Sequence, residues 1–556
     1  MPVTVRLGSR AQPSLLSLNY DTLAGIAPYL HGRDALHLAL CCKELSELAL
    51  PRVSAVAECS SPAQLRDLCA YMLSGPRRPV RYLEDLSINY TTFAGEAGAR
   101  SEDGDESESE EEQDEYWDFS QAHLVRDLLL RATALRRLKL DRLNPLLQER
   151  PEIGAALCAL PRLVSAGFST VSEHTFGLVA NLTRGLRRLR LAYPGDEDTA
   201  MEDDDTDSHT MAPLLDLLAP LQQLHTLEIA EFDPWPEPMP ERAPRFPALR
   251  ILSMQDVASA ALPLVDLCPN LSKLDLLVDE EKVENAIPPL VAGAGRAWGS
   301  GELTELKLAS LREALLVRNR LQAVDRVQIT VDAFPISRRG QASIRALLDL
   351  LAAASPISLA LPVEVGATPM AFWSEVPALA PRLRILSLKI DIAAIAEENV
   401  AWLDNVPDAL RPLPLVYLHL DLPKTRFLLF RFPFAPDAEH NAREVRRRAA
   451  AAKRIDERRG ASVAALPQRL VAAIPTLRFL VITDAGPNPA NLTGRGEDDD
   501  TMAQGRSGVP CEPGPRRQWR VVGEGDTRRL RELSSVEGEA VRALAEEMNV
   551  GALSTI

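Results

Sequence analysis

A short pattern of apolar and polar positions, L-x-x-L-x-[LI] or a close relative, recurs along the chain. It is seen as "LEDLSI" from residue 83, "LRRLKL" from 135, "LRRLRL" from 186, "LHTLEI" from 224, "LRILSM" from 249, "LSKLDL" from 271, "LTELKL" from 303, "LRILSL" from 383, "LVYLHL" from 415 and "LRFLVI" from 477. Looser copies, "RLVSAGF" from 162, "RVQITV" from 326 and "PISLAL" from 356, fill the wider gaps, and neighbouring copies commonly lie 22 to 32 residues apart. Within each copy the apolar positions alternate with period two, which predicts a short strand with one buried side. Between copies, stretches such as "MAPLLDLLAP" and "SIRALLDLLAAA" space their leucines as one face of a helix does.

A strand followed by a helix, repeated at this period, predicts an α/β fold of the leucine-rich-repeat kind, an irregular solenoid or horseshoe. The alternative is a set of ordinary strands belonging to separate α/β domains. One strand-helix unit cannot bury its apolar side alone, so the leucines are expected to stack between neighbours. The residue three beyond the motif, where regular repeats carry an asparagine ladder, is here Leu143, Phe232, Val257, Asp279, Leu311 or Asp391. The repeats are therefore expected to be irregular.

Ahead of the first repeat, "LSLNYDTLAGIAPYL" predicts a helix capped by Asn19 or Asp21, with Leu23, Ile26 and Leu30 on its apolar face. After the turn "HGRD", Asp34 is expected to cap a second helical stretch, "ALHLALCCKELSELAL". There Leu36, Leu38, Leu40, Leu45 and Leu48 face neighbours, and Pro51 stops the run. Three short helices and then a repeat array resemble the F-box followed by leucine-rich repeats of substrate-receptor subunits in SCF-type cullin-RING ubiquitin ligases. The residues that carry the likeness are the ladder "LNYDTLAGIAPYL", the Asp34-Ala35-Leu36 helix start and Cys42-Lys43-Glu44-Leu45, which looks like the family's C-[KR]-x-[LW] segment. Leu18-Asn19 stands where the family usually has Leu-Pro. The C-terminal "RQWRVVGEGD" and helical "VEGEAVRALAEEM" are similar to endings of some such proteins.

The resemblance implies a division into a flexible N-terminus (1–15), an F-box-like helical domain (16–53), irregular repeats (54–485) and a C-terminal tail with a short strand and helix (486–556). It implies a Skp-type adaptor and a cullin scaffold as partners, an unidentified protein substrate, and adaptor contacts among Leu23, Ile26, Leu38 and Leu45. Periodicity leaves open whether those four residues form the small domain's core or its contact face. A second functional reading is a scaffold or inhibitor without a ligase link, whose N-terminal helices only cap the solenoid.

Composition sharpens this picture in three places. The net charge of −16 over 556 residues is concentrated in "SEDGDESESEEEQDE" (101–115), "DEDTAMEDDDTD" (196–207) and "EDDD" (497–500); taking their 22 acids away leaves +6. The body is mildly basic, the acidic runs read as solvated insertions, and they argue against a general nucleic-acid binder. No run of about 20 residues is free of charge and proline, so no membrane span is expected, and the localisation expected is cytoplasmic or nuclear. The basic run 441–460 reads either as an exposed helix or as a bipartite nuclear import signal.

Chemistry motifs are missing from the sequence. It contains no G-x-x-x-x-G-K-[ST], G-x-S-x-G or H-E-x-x-H and no Cys/His cluster with zinc spacing, and the seven cysteines form no C-x-x-C pair. Adjacent Cys41 and Cys42 point about 100° apart on a helix and read as buried packing. No enzymatic activity and no cofactor are expected. In each strand the residues flanking the central leucine face away from the core, and these are the candidate substrate contacts: Arg137 and Lys139, Arg188 and Arg190 as cations, Tyr417 and Phe479 as aromatic anchors; the alternative is that the arginines are only solvated and Phe479 packs on the C-terminal tail.

Overall fold

The computed structural model describes residues 19–74, 78–95, 117–182, 185–193, 211–232, 243–278, 298, 303–330, 340–364, 370–391, 397–422, 438–484 and 516–555. The acidic runs 101–115, 196–207 and 497–500 lie outside them. The chain divides into two compact units that meet in sequence between Leu249 and Arg250, inside a repeat motif. Both are α/β.

The first unit opens with three helices, α1 (Tyr20–Ile26), α2 (Gly32–Cys41) and α3 (Lys43–Val53). Asn19 caps α1 through its carboxamide, which accepts the Thr22 N–H at 2.7 Å. Asp34 does not cap α2: that helix starts after His31, and Asp34 sits in its first turn, where a carboxylate favours the helix dipole. Cys42, extended at φ −161°, separates α2 from α3. Pro51 lies inside α3 rather than ending it, and the helix closes two residues later at Val53. The proline costs the helix one N–H bond to the carbonyl four residues back, and the helix closes within the same turn.

Six parallel strands follow, β1 (Val56–Cys59), β2 (Asp85–Ile88), β3 (Arg137–Leu140), β4 (Ser165–Phe168), β5 (Arg188–Ala192) and β6 (Thr226–Ala230). Each pairs with the next in chain order, in a register that keeps the motif leucines in rows: Leu86, Leu138, Ala166, Leu189 and Leu227 stand side by side. Helices such as Pro62–Leu73 and Ala122–Arg131 return the chain and bury Leu65, Cys69 and Met72, or Val125, Leu128 and Leu129, behind those rows. Each leucine removed from water contributes roughly 1.5–3 kcal/mol, which is why the strand-helix unit needs a neighbour on either side.

The second unit continues with parallel strands β7 (Ile251–Val257), β8 (Lys273–Val278), β9 (Glu305–Leu308), β10 (Arg326–Ile329), β11 (Ser358–Glu364), β12 (Ile385–Asp391), β13 (Tyr417–Leu422) and β14 (Phe479–Asp484). The chain then reverses: β15 (Arg516–Val522) adds antiparallel to β14, and β16 (Arg529–Glu532) adds antiparallel to β15. The basic run 441–460 lies within one long helix, α4 (Ala438–Ala473). Two helices, α5 (Ser535–Glu546) and α6 (Val550–Thr555), come last, so among its described residues the tail holds two strands and two helices where one of each was expected.

All thirteen motif copies become strands, and β1, "VAEC", is one more that the pattern does not announce. The irregular turn positions have a physical counterpart. Leu143, Phe232, Val257 and Leu311 are buried, so apolar packing fills the place of a polar ladder. Turn N–H groups find scattered partners instead: Tyr90 donates to Asp141 Oδ2 at 3.2 Å, and Val278 and Ser310 donate to the buried Glu313 carboxylate at 3.2 and 2.6 Å. Among the described residues, no helix is long and apolar enough to cross a membrane.

Candidate functional site

The N-terminal helices resolve which of their leucines face inward. Leu23, Ala35, Leu38, Leu45 and Ala49 form a small core of their own, with Leu30, Leu48 and Val53 packed against it. Arg52 ties α3 back to the α1–α2 link by donating to the Leu30 carbonyl at 2.7 Å. Leu23, Leu38 and Leu45 are thus core residues and not a contact face; of the four expected adaptor contacts only Ile26 is exposed.

Leu36 and Leu40, expected to face neighbours, are instead exposed at 44% and 75%, and Tyr20 and Tyr29 join them at 63% and 88%. The heptad-like run "ALHLAL" offers more leucines than so small a core can take, and those one turn apart on the far side of α2 remain in water. Cys41 and Cys42 are exposed too, not buried packing, because they sit where α2 breaks. Among the described cysteines Cys59, Cys69 and Cys268 are buried, and burial pushes their thiols up to about 11, 12 and 12. Among the described residues no cluster of His, Cys, Asp or Glu has the makings of a metal site.

The outward residues of the first unit's strands are open to solvent. Arg137, Lys139, Arg188 and Arg190 all stand exposed on β3 and β5. Arg137 Nε donates to Asp85 on β2 at 2.8 Å, Lys139 Nζ lies 3.3 Å from Asp141 and 3.2 Å from Asn89 Oδ1, and Arg190 Nε is 3.9 Å from Glu228 on β6. Between the two basic strands lies β4, whose outward residues are Ser165 and Gly167. The weakness of "RLVSAGF" as a motif was the sequence signal for this place, since small residues replace the usual long ones.

The second unit closes the corresponding face of its last strands. Ile385, Tyr417, Phe479 and Val481 are buried with Val541 and Ala545 of α5 and Leu553 of α6. Tyr417 at 4% and Phe479 at 1% exposure are therefore not free aromatic anchors: the C-terminal helices already occupy them. Burial also pushes the Tyr417 hydroxyl up to about 12. Beneath the same cover His419 bridges Ser387 Oγ (3.2 Å from Nδ1) and Thr483 Oγ1 (3.3 Å from Nε2), and desolvation lowers its imidazole to about 4. Of the two readings of Phe479, packing on the C-terminal tail is the one that holds, and the same cover extends over Tyr417.

No family model and no curated protein matches the chain. Among solved structures, it is similar to a chain in the crystal structure of the Rad7 and Elc1 complex in yeast, with 13% identity over 74% of this chain and 94% of that one and a TM-score of 0.30.

Proposed function

We propose that this chain is the substrate-receptor subunit of an SCF-type ubiquitin ligase, with its N-terminal helices docking a Skp-type adaptor that joins it to a cullin, and its repeats holding a protein substrate. The observation that carries the reading is the division of labour in residues 20–53. The helices complete a core of their own and still keep Ile26, Tyr29, Leu36 and Leu40 in water. A segment serving only to cap the repeats has no use for apolar side chains on its outer side, whereas a docking module needs them as anchors. Ubiquitin transfer in this reading belongs to partner subunits, and the chain contributes no catalysis of its own. The acidic run 101–115 is outside the described residues and carries no part of this reading.

The test is reconstitution of the full-length chain with a Skp-type adaptor and cullin. The wild type is expected to co-purify with both, and Leu36→Asp with Leu40→Asp to lose capture by about tenfold or more with unchanged helical content. Failure of the wild type to capture the adaptor, or capture by the double variant equal to wild type, overturns the proposal in favour of a scaffold.

A further inference from the structure

We infer that β3, β4 and β5 form a trough that binds an extended acidic peptide segment of a partner protein. The register sets out the site. Arg137, Ser165 and Arg188 lie side by side in one row, and Lys139, Gly167 and Arg190 in the next. Neighbouring strands are about 4.8 Å apart, so the two basic strands stand roughly 10 Å from each other with only a hydroxymethyl group and a hydrogen atom between them. A Cβ placed on Gly167 would touch Arg190 Cβ at 3.7 Å and Lys139 Cγ at 3.9 Å: the stems of the two cations are the walls, and glycine is what keeps the floor low.

The charge pattern marks this stretch off from the rest of the strands. On β8 and β9 the outward residues neutralise each other across the register, Lys273 with Glu305 at 2.8 Å and Lys307 with Asp275 at 2.8 Å. On β3 to β5 no outward residue is acidic, and the acids that do pair with these cations sit outside the trough, on β2, at the end of β3 and on β6. Such exposed pairs are weak and leave the remaining guanidinium and ammonium hydrogens free to turn inward. Arg188 has no ion-pair partner among the described residues. Four cations around a low, unobstructed floor complement an anion, and guanidinium forks suit carboxylate or phosphate oxygens.

The spacing selects an extended ligand. Residues two apart in a strand rise together by about 6.7 Å, so a peptide running along β4 brings every second side chain to one of the two rows. Glutamate, aspartate or phosphoserine at alternate positions would meet Arg137 and Arg188, then Lys139 and Arg190. If the chain is the substrate receptor proposed above, this is where an acidic stretch of the substrate is held; the trough itself rests only on the register and the charges.

The experiment measures anisotropy of a short fluorescent peptide of alternating glutamate and serine added to the full-length chain, with a glutamine-serine peptide as control. The acidic peptide is expected to bind at least about tenfold tighter than the control, and to weaken as salt is raised. Arg188→Glu with Arg190→Glu should abolish the difference. Gly167→Val, which keeps every charge but raises the floor, should weaken binding by about fivefold or more. Equal binding of the two peptides, or wild-type affinity in Gly167→Val, overturns the trough. Adaptor capture by the same preparations separates the two readings. Peptide binding without adaptor capture leaves the trough standing and removes the ligase role, whereas capture without peptide binding does the reverse.

Discussion

Tyr417 and Phe479 stand opposite each other on adjacent parallel strands, and both are sealed by the C-terminal helices. The outward side of these strands has thus become a second apolar core. Its contributors come from opposite ends of a long sequence interval: Ile385 and Tyr417 from the repeats, Val541, Ala545 and Leu553 from the last two helices. Trp519 on β15 is buried as well, and Arg517 lies over its ring at 4.9 Å.

A charge placed in that core should therefore detach the tail. Val541→Asp buries a carboxylate among Tyr417, Phe479 and Val481, and the expected loss is about 3 kcal/mol. Limited proteolysis should then release residues beyond β14 first, while the first unit stays resistant. Wild-type cleavage kinetics in this variant would mean that the helices do not cover the strands in solution.

The N-terminal helices turn from an inner to an outer face within two residues of one run. Leu38 is 8% exposed and Leu40 is 75% exposed, although the sequence presents both as leucines of one run. Leu38→Ala should destabilise the helical module by about 2–4 kcal/mol and speed hydrogen exchange in residues 20–53, whereas Leu40→Ala should leave exchange unchanged. Equal effects of the two substitutions would contradict the division into an inner and an outer face.

How much of this was legible beforehand follows from what each element depends on. Strand positions were, because a period-two leucine pattern is a local property and recurs thirteen times. The cations at Arg137, Lys139, Arg188 and Arg190 were legible as outward residues for the same reason. Which leucines of "ALHLALCCKELSELAL" turn inward was not, since a helix periodicity that is apolar nearly all round has no preferred side until the neighbouring helix is placed. For Phe479 the sequence left two readings open, a free anchor or packing on the C-terminal tail, and for Tyr417 it announced no cover. Strand alternation says that these side chains leave the core of the repeats, and only the fold of the tail, more than fifty residues further on, decides that they enter another. The low floor at Gly167 was not read out, because its copy, "RLVSAGF", was counted for the strand it forms and the pattern weighs the leucines a copy has rather than the side chains it lacks.

Arg459 offers a test of how α4 is fixed to the strands. It is buried on the polar helix, its guanidinium 2.7 Å from Asp484 at the end of β14, with side-chain exposures of 5% and 28%. Removing one partner of a buried pair costs more than the pair is worth, because the remaining charge keeps its desolvation penalty. Asp484→Ala is expected to lower stability by about 2–4 kcal/mol, and Arg459→Met, which removes the charge with its stem retained, by clearly less. Thermal unfolding of the two variants reads the order. The reverse order would place the stabilisation in the arginine's own contacts rather than in charge balance.

His419 makes the second unit's stability depend on pH in a calculable direction. Burial holds its imidazole neutral down to about 4, against an ordinary value of 6.5; Asp421 acts to raise it, and Arg516 and Arg542 lower it further. Between those two values the unfolded chain binds a proton that the folded chain refuses, so stability is fully present above pH 6.5 and is lost progressively as the pH falls towards 4. A shift of this size corresponds to about 3 kcal/mol at most. Ser387 and Thr483 hold the ring in place without supplying charge, so protonation would put a cation under the C-terminal helices beside two arginines. Denaturant titrations across this range should show a midpoint that declines with acidity in the wild type. In His419→Gln, which keeps the polar bridge and cannot titrate, the slope should flatten. A variant that retains the full wild-type slope would assign the acid sensitivity to carboxylates elsewhere in the unit.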